Sequence, residues 1–562
     1  MPARRTILIL AAIVITGAFL RLAEPLTSPP GMNVDEAGVL WNSWCLLQTG
    51  VDQHGVSWPI FRIRTFGEID NRSTLYNYWL IPFLAVGGFS LETGRVAAAV
   101  SGVLTILLVY FIAGRLFGRS TAIAAAGLMA FLPWHIQQTR WSHDGAFQPF
   151  LVALAAAALL WADFPFVDRC ERRPVPWRGF LAGLITGICC YGYQSARLFI
   201  PVFFTAAVIT NAKGWIALMK SRRGPAAIAA LSIGVAITFG PLVWKHMTDP
   251  EMNARGRVTW AYSPSDSLGD KAGKVLGRYL PHFGATFLFE RGDQNKYLEG
   301  PAGHGVLLWY HLVLLLGGAG ALLAAWRKSA SSRFALLWLA LYPIGDMLTG
   351  HPGPHVMRSQ PGMVGIVLVC AVGAVVPLGW LWRRDRVAGL VLGSTLAAAG
   401  VVMTGLYLKD LYGSYNLQPG IRQVNQVDLL RALDWVRENG ASYDHIFITS
   451  SGTPHPYIYT MVQTRFSPKD WLEAEKIVRV GPAENGAHPF EDVYYRVGRY
   501  WFVYGRDANQ ELGRLAANGR DDRVLFIVRP GEATGDPSTG KVLQQYRTPA
   551  GQVAIQLIDV TM

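Results

Sequence analysis

Apolar runs long enough to cross a lipid bilayer recur along this 562-residue chain from Thr6 to Tyr407 and then stop. A hydrocarbon core about 30 Å thick takes about 20 helical residues to cross. Since 51% of the residues are hydrophobic and 16% are charged, against roughly 25% charged in soluble domains, the composition agrees with these runs. The sequence therefore predicts a polytopic α-helical membrane protein, with about eleven transmembrane helices.

The formal net charge of +13 indicates membrane topology and not a nucleic-acid partner. The basic residues are not gathered into one patch with interleaved aromatic residues; most occupy short connections between apolar runs. Lys and Arg in such connections stay on the cytoplasmic side. The five cysteines have no framework spacing and no CxxC pair, so neither a disulfide framework nor a cysteine metal site is predicted.

With the basic connections inside, one topology satisfies nearly all of them. The N-terminus is cytoplasmic, and the first apolar run is expected to be a retained helix because it exceeds a usual signal-peptide core. The membrane domain covers residues 1–408, and its outer loops are 23–91, 136–145, 247–303 and 349–360.

Within loop 23–91, the segment "LYNYWLIPFLAVGGF" is too short for a comfortable span and is predicted to lie in the membrane interface. If it were a full span, every later loop would change sides. The Arg-rich connections would then face outward, against their charge bias.

Residues 409–562 change to a mixed polar and apolar pattern and are predicted to form a soluble α/β domain outside the cytoplasm. "QVDLLRALDWVRENG" has helical apolar spacing and ends at Gly440, whereas "HIFITS", "YWFVYG", "RVLFIVRPG" and "QVAIQLIDV" are typical of strands. "SPKDWLEAEKIV" and "ANQELGRLAANG" are predicted helices between them.

Two adjacent acids, Asp35 and Glu36, open a predicted helix directly after the first apolar run. Asn33 or Asp35 can cap that helix, and Gly50 suits its end. Capping alone accounts for one acid. The stiff turn "TSPPG" before the pair, however, favours a position of Asp35 near the membrane surface, where a lower dielectric tunes a carboxyl group.

Further polar groups lie in the other outer loops. Asp144 in "RWSHDGAF" is a second candidate acid, with a solvated, helix-capping loop as the alternative interpretation. Arginines suit the binding of a phosphate because they offer bidentate contacts, and an arginine at membrane depth is costly unless it serves a partner or a site. The candidate substrate-binding residues are Arg197, Arg358, Arg291, Arg278, Tyr193 and His355.

These segments resemble the GT-C membrane glycosyltransferases, particularly the branch that contains the protein O-mannosyltransferases and the lipid A aminoarabinose transferase. "VDEAGVLWNSWCLLQTGVD" is similar to the first-loop signature of that branch, and "STLYNYWLIPFLAVGGFSLETGRVAAAVSG" is similar to its juxtamembrane stretch. "QTRWSHDGAF" falls where these enzymes carry a second-loop acid, and "FERGDQNKYLEGPAGHG" and "HPGPHVMRSQP" look like their later loops. The resemblance covers about residues 1–410.

The resemblance implies a GT-C fold and an inverting glycosyltransferase that takes a sugar from a polyprenyl-phosphate donor. Asp35 is then the expected base, Glu36 orients the acceptor or its neighbours, and Asp144 positions the Asp35 region or a basic partner. Arg197 and Arg358 are favoured over the other arginines for the phosphate. Where the lipid A enzyme has a lysine, this chain has Tyr193 and Arg197, so the donor-specificity residues of that enzyme are not transferred.

The expected partners are a polyprenyl-phosphate-linked sugar, a lipid, glycan or protein acceptor, and the bilayer of a bacterial inner membrane. No cofactor is expected to be required. Oligosaccharyltransferases use a divalent ion, but this sequence shows no clear cage of hard oxygen ligands, so no metal residues are predicted. The alternatives are a transporter or flippase of lipid-linked sugars, disfavoured by the lack of internal repeats, and a membrane anchor whose function lies in residues 410–562.

Overall fold

The computed structural model describes residues 3–66, 70–168, 174–293, 300–351, 353–479, 493–503, 505–517, 522–532 and 540–561. The helices are α1 (Ala3–Leu22), α2 (Val34–Thr49), α3 (Leu75–Gly87), α4 (Leu91–Phe117), α5 (Arg119–Phe131), α6 (Pro133–Gln138), α7 (Gln148–Trp161), α8 (Pro176–Cys189), α9 (Gln194–Thr210), α10 (Ala212–Met219), α11 (Gly224–Thr248), α12 (Ala254–Thr259), α13 (Leu268–Gly277), α14 (Tyr310–Ala325), α15 (Ala330–Leu341), α16 (Ile344–Met347), α17 (Gly362–Arg384), α18 (Arg386–Tyr412), α19 (Ser414–Leu417), α20 (Pro419–Val424), α21 (Val427–Asn439), α22 (Pro456–Gln463), α23 (Pro468–Glu473) and α24 (Gly505–Ala516). The strands are β1 (Ile63–Arg64), β2 (Asn71–Arg72), β3 (His445–Thr449), β4 (Lys476–Arg479), β5 (Val493–Val497), β6 (Tyr500–Val503), β7 (Arg523–Val528), β8 (Lys541–Arg547) and β9 (Val553–Thr561).

The chain forms two compact units. The first, the membrane unit, comprises Met1–Pro25, Ser73–Tyr76 and Arg95–Ser414. The second, the mixed unit, comprises Leu26–Arg72, Asn77–Gly94 and Tyr415–Met562. Most of the predicted first outer loop therefore belongs to the same unit as the C-terminal domain.

Six helical stretches of the described chain are long and apolar enough to cross a membrane, or seven if the bent pair α9 and α10 counts as one span. The six are Arg4–Leu22, Leu91–Phe117, Asp144–Trp161, Gly224–Thr248, Gly362–Arg384 and Arg386–Leu417. Other apolar helices are shorter, among them α5 and α14. The polytopic helical class is confirmed, while the count of about eleven spans stays a prediction.

The segment that contains "LYNYWLIPFLAVGGF" forms α3, a helix of 13 residues that contains Pro82. Its length gives about 20 Å of helix, less than the hydrocarbon thickness. The helix is thus too short for a straight span, as the sequence indicates, and its interfacial placement stays a prediction.

Glycines allow close helix packing inside the membrane unit. On α14, a Cβ at Gly318 would overlap the carbonyl of Val369 on α17, and a Cβ at Gly373 would overlap the carbonyl of Leu314. Small residues at such crossings let two backbones approach and gain dispersion contacts that lipid cannot replace. The 23-residue helix α17 is buried from Gly362 to Gly373 and so lies at the centre of this unit.

The C-terminal part of the mixed unit confirms the predicted α/β domain. Its described strands form a seven-stranded sheet in the order β4-β5-β6-β3-β7-β9-β8, in which β3 runs parallel to β6 and β7. Phe447, Phe526 and Trp501 stack in its core. The predicted helix "SPKDWLEAEKIV" ends early, because Lys476–Arg479 pairs antiparallel with β5 and extends the sheet.

Candidate active site

The acid pair opens α2 as the sequence predicts. The Asn33 side chain accepts a hydrogen bond from the backbone N–H of Asp35 at 2.9 Å, and the Glu36 carboxylate accepts one from the backbone N–H of Asn33 at 3.1 Å. These two bonds form a capping box, which satisfies donors that a helix start leaves unpaired. Gly50 ends the helix with φ 74°, a conformation that favours glycine.

The two acids of the pair have different surroundings. Glu36 is fully buried and belongs to the capping box. The Asp35 side chain is 30% exposed and accepts a hydrogen bond from Nη2 of Arg72 at 2.8 Å. Asp35 is therefore the acid of the pair that stays accessible to a substrate.

Arg72 is the main residue of this site that sequence reasoning missed. Its Nε donates to Asp70 at 2.8 Å while its Nη2 contacts Asp35, so one guanidinium joins two carboxylates. Its carbon Cζ lies 5.1 Å from the ring centroid of Phe66, a cation–π distance. The side chain is only 8% exposed. No spacing rule connects residue 72 to residue 35, so only the fold could reveal this pair.

Asp144 belongs to the membrane unit and is nearly buried, at 5% exposure. It begins the short 3₁₀ helix Asp144–Phe147, which His143 caps by accepting the Ala146 N–H at Nδ1, 3.1 Å away. The Asp144 carboxylate accepts a hydrogen bond from Ser73 Oγ at 3.1 Å and attracts the charge of Arg197. The alternative interpretation is correct for the cap, which His143 provides, but wrong for the solvation, because the loop is buried. Asp144 is therefore left for another role.

Gln148 joins three of the predicted outer segments. Its Nε2 donates to the carbonyl of Met357 at 2.7 Å, and its Oε1 accepts from the hydroxyl of Ser195 at the start of α9. Nearby, Nε2 of Gln360 donates to Oε1 of Gln138 at 2.8 Å. The segments around Asp144, Arg197 and Arg358 are thus held together inside the membrane unit.

Arg197 lies in the first turn of α9, four residues after Tyr193, which is the N-cap position of this helix. Its Nε donates to the carbonyl of Cys190 at 3.2 Å, and its Nη1 lies 2.8 Å from Nε2 of His246. The other ring nitrogen of His246 lies 2.9 Å from Oδ1 of Asn253. These contacts orient the Arg197 guanidinium and use only some of its five N–H groups.

Arg358 is attached to a second polar cluster. Its Nη1 donates to Thr349 Oγ1 at 2.7 Å and lies 4.0 Å from Asp346 Oδ1. The nearly buried Asp346 carboxylate also accepts from the His355 backbone N–H at 2.7 Å and contacts Nε2 of His282 at 3.1 Å. Asp346 was missed, although an acid in the apolar run "LYPIGDMLTG" is itself a signal, because such residues are costly in a membrane.

The remaining candidates differ in their surroundings. His355 is nearly buried, with Nδ1 3.4 Å from Asp293 Oδ2. Arg278 donates to the carbonyls of His351 and, at 3.3 Å, Gly350, so it braces the loop that carries Arg358. Arg291 is exposed, directly after the π-helix Thr286–Glu290. The structure therefore places Arg278, His355 and Arg358 around one loop and leaves Arg291 on the surface.

Within the described residues, no group of three or more His, Cys, Asp or Glu side chains is arranged to hold a metal ion. Asp35 and Asp70 instead contact the cation Arg72. Independence from metal stays a prediction.

Comparison with known proteins agrees with this architecture. Residues 72–244 match the dolichyl-phosphate-mannose-protein mannosyltransferase family. The structure is similar to that of ArnT from Cupriavidus metallidurans bound to undecaprenyl phosphate, with a TM-score of 0.55, 12% identity, and coverage of 100% of this chain and 98% of that one. None of the curated protein sequences matches the chain significantly.

Two archaeal structures from Archaeoglobus fulgidus are also similar. The oligosaccharyltransferase in its apo form has a TM-score of 0.53 and 14% identity, over 99% of this chain and 74% of that one. AglB in complex with an inhibitory peptide and a dolichol-phosphate has a TM-score of 0.51 and 13% identity, over 98% and 74%. The structural similarity shows that this chain shares the fold of ArnT and of the archaeal oligosaccharyltransferase, and residues 72–244 are similar to the mannosyltransferase family.

Proposed function

We propose that this protein transfers a sugar from a polyprenyl-phosphate donor to an acceptor on the outer face of a bacterial inner membrane, with inversion at the anomeric carbon. The observation that carries the proposal is the Asp35–Arg72 ion pair at the start of α2, where a carboxylate is braced and still 30% exposed. The lipid phosphates bound by ArnT and AglB support a donor of this class.

Asp35 acts as the base in this proposal. An acceptor hydroxyl or amine must lose a proton as it attacks the anomeric carbon, and a positioned carboxylate can take that proton. A cation at 2.8 Å favours the ionised form of a carboxylate. The capping box fixes the backbone around Asp35, so the carboxylate is held in place before the acceptor arrives.

Arg197 and Arg358 bind the departing phosphate in this proposal. Negative charge develops on the phosphate oxygen as the sugar leaves, and guanidinium groups stabilise such charge. Both arginines are oriented by protein contacts, Arg197 by His246 and Arg358 by Thr349. Each keeps further N–H groups for an anion, since a guanidinium has five.

The experiment is a transfer assay with purified protein in liposomes, supplied with a panel of undecaprenyl-phosphate sugars. Mass spectrometry would follow the release of undecaprenyl phosphate and the gain of sugar by acceptors in a membrane extract. We expect one donor class to be consumed, with cleavage of the bond between its sugar and its phosphate. Movement of intact donor across the bilayer, without cleavage, would contradict a transferase and support the flippase alternative.

Arg358→Ala tests the phosphate role. The variant is expected to raise the KM for the donor about tenfold, because a charge-assisted hydrogen bond contributes about 1.5–3 kcal/mol and about 1.4 kcal/mol is tenfold in affinity. The KM for the acceptor should stay near its original value. Arg384→Ala, at the basic end of α17, is the matched control and should behave like the unaltered protein. An unchanged donor KM in Arg358→Ala would remove this residue from the phosphate site.

A further inference from the structure

Helix α22, from the C-terminal half of the mixed unit, packs against α2, the helix that begins at the acid pair. The same unit is tied together by the Met32 N–H, which donates to the carbonyl of Asn425 at 2.9 Å, and by the Asn425 side chain, which donates to the carbonyl of Pro30 at 2.8 Å. These bonds fix the turn just before Asp35. The C-terminal domain thus reaches the immediate surroundings of the acid pair.

His455 connects α22 to Arg72. Its ring stacks on Phe66 with centroids 4.3 Å apart and planes 15° apart, and Phe66 also carries the guanidinium of Arg72 at 5.1 Å. His455 occupies the N-cap position of α22, but its side chain makes no capping hydrogen bond there. Its φ of 48° is unfavourable for a residue with a Cβ. The ring contact with Phe66 is one interaction that offsets this cost.

Tyr459 lies on α22, four residues after His455. The side chain is fully buried, and its hydroxyl has no hydrogen-bond partner among the described residues. Burial, reinforced by the charges of Asp35 and Glu36, raises the pKa of Tyr459 well above its ordinary value, so the phenol keeps its proton. A buried hydroxyl without a partner is unfavourable, and phenylalanine would fill the same space without that cost.

We propose that α22 and His455 are part of the acid centre: His455 is a positioning residue that holds Arg72 against Asp35 through Phe66, and the Tyr459 hydroxyl donates a hydrogen bond to the acceptor beside Asp35. The proposal rests on the proposed transferase function. It gives the C-terminal domain a direct role at the site, beyond packing. It also accounts for a buried phenol hydroxyl that has no hydrogen-bond partner among the described residues.

The kinetic test uses Tyr459→Phe and its matched control Tyr500→Phe, which removes a hydroxyl from another buried tyrosine of the same domain. We expect Tyr459→Phe to lower kcat/KM for the acceptor about tenfold, the value of one hydrogen bond to a charged or reacting group. The donor KM should not change and the thermal unfolding temperature should not fall, and Tyr500→Phe should keep the acceptor kinetics of the unaltered protein. Wild-type acceptor kinetics in Tyr459→Phe would overturn the role of Tyr459.

The positioning role is tested by His455→Ala and by the rescue variant His455→Phe. His455→Ala is expected to lower kcat about fivefold or more, because a loosened Arg72 no longer orients Asp35. His455→Phe keeps an aromatic ring for Phe66 and should restore kcat to within about twofold. If His455→Phe is as slow as His455→Ala, the stacking argument is wrong.

A second readout separates this inference from the proposed function. Full-length protein in detergent is treated with a carbodiimide and an amine, and the labelling of Asp35 is measured by mass spectrometry. His455→Ala should raise labelling at least about threefold through local opening, and His455→Phe should not. Unchanged labelling in His455→Ala overturns the inference even if transfer is confirmed, whereas the predicted labelling with no donor consumed would contradict only the transferase function.

Discussion

At the scale of single residues, two neighbouring acids in the sequence have different roles in the structure. The sequence indicates that one of Asp35 and Glu36 is explained by capping, but not which one. The structure assigns the capping box to Glu36 and the ion pair with Arg72 to Asp35. Which acid caps the helix depends on the direction in which each side chain leaves the first helical turn. No pattern of residue types fixes that direction.

Variants of Glu36 should distinguish a role in helix capping from a role in the transfer reaction. Glu36→Gln keeps an oxygen that can accept the Asn33 N–H and should keep most of the transfer activity. Glu36→Ala removes that acceptor and should destabilise the mixed unit by about 1 kcal/mol, the usual cost of a lost cap. Thermal unfolding and transfer rates of the two variants are the measurements. A Glu36→Gln protein that is stable and inactive would show that Glu36 takes part in the reaction.

At the scale of elements, the well-predicted parts have strong local patterns and the others depend on long-range pairing. Helix α2 and strands β3 and β7 lie close to their predicted ranges, because capping residues and β-branched runs define them locally. Strand β4 was predicted as the end of a helix, and it forms because β5 pairs with it. The polar cluster around Asp346 depends on packing of α16 and the following loop, which no local pattern reveals.

The turn after α2 contains a histidine that should make the mixed unit sensitive to acid. Nε2 of His54 lies 3.1 Å from the amide nitrogen of Gln53, a contact that the neutral ring accepts. Burial, with the positive charges of Arg64 and Lys476, lowers the pKa of His54 to about 4. In the unfolded chain His54 binds a proton near pH 6.5, whereas in the folded chain it does not. The contribution of His54 to the free energy of unfolding is therefore complete above about pH 6.5 and falls as the pH drops toward 4.

The substitution His54→Gln should weaken the dependence of the free energy of unfolding on pH between about 6.5 and 4. The measurement is the unfolding midpoint of the unaltered protein and of His54→Gln between pH 7.5 and pH 4. The difference between the two midpoints at each pH removes the effect of the other titrating groups, which both proteins share. We expect the advantage of the original protein at neutral pH to shrink steadily below about pH 6.5. A difference that does not change with pH would show that His54 titrates normally in the folded protein.

At the scale of the whole molecule, the sequence predicts the membrane class, the GT-C fold and the α/β domain, all of which are confirmed. It does not reveal that residues 26–72 and 77–94 share a compact unit with 415–562. That association depends on contacts such as Met32 with Asn425 and Gln53 with Trp471, the latter pair 418 positions apart in the sequence. The side of the membrane on which each loop lies stays a prediction from the distribution of basic residues.

Cysteine labelling tests the predicted orientation. Ser57→Cys lies in the predicted outer loop 23–91 and Arg222→Cys in a predicted cytoplasmic connection, and both positions are exposed. The described native cysteines are buried, and Cys170 would be replaced by serine. A membrane-impermeant maleimide added to intact cells should label Ser57→Cys and should label Arg222→Cys only after the membrane is opened. The reverse pattern would place Asp35 in the cytoplasm and contradict the proposed reaction.

The central claim is that Asp35 takes the proton of the acceptor, and the most direct measurement is the rate of sugar transfer by Asp35→Asn with the donor identified in the liposome assay. The amide keeps the shape and can still accept from Arg72, so folding and donor binding should persist. Transfer should fall by about 10²–10⁴-fold, the usual contribution of a general base. Transfer at the rate of the unaltered protein, with donor and acceptor saturating, would contradict the account.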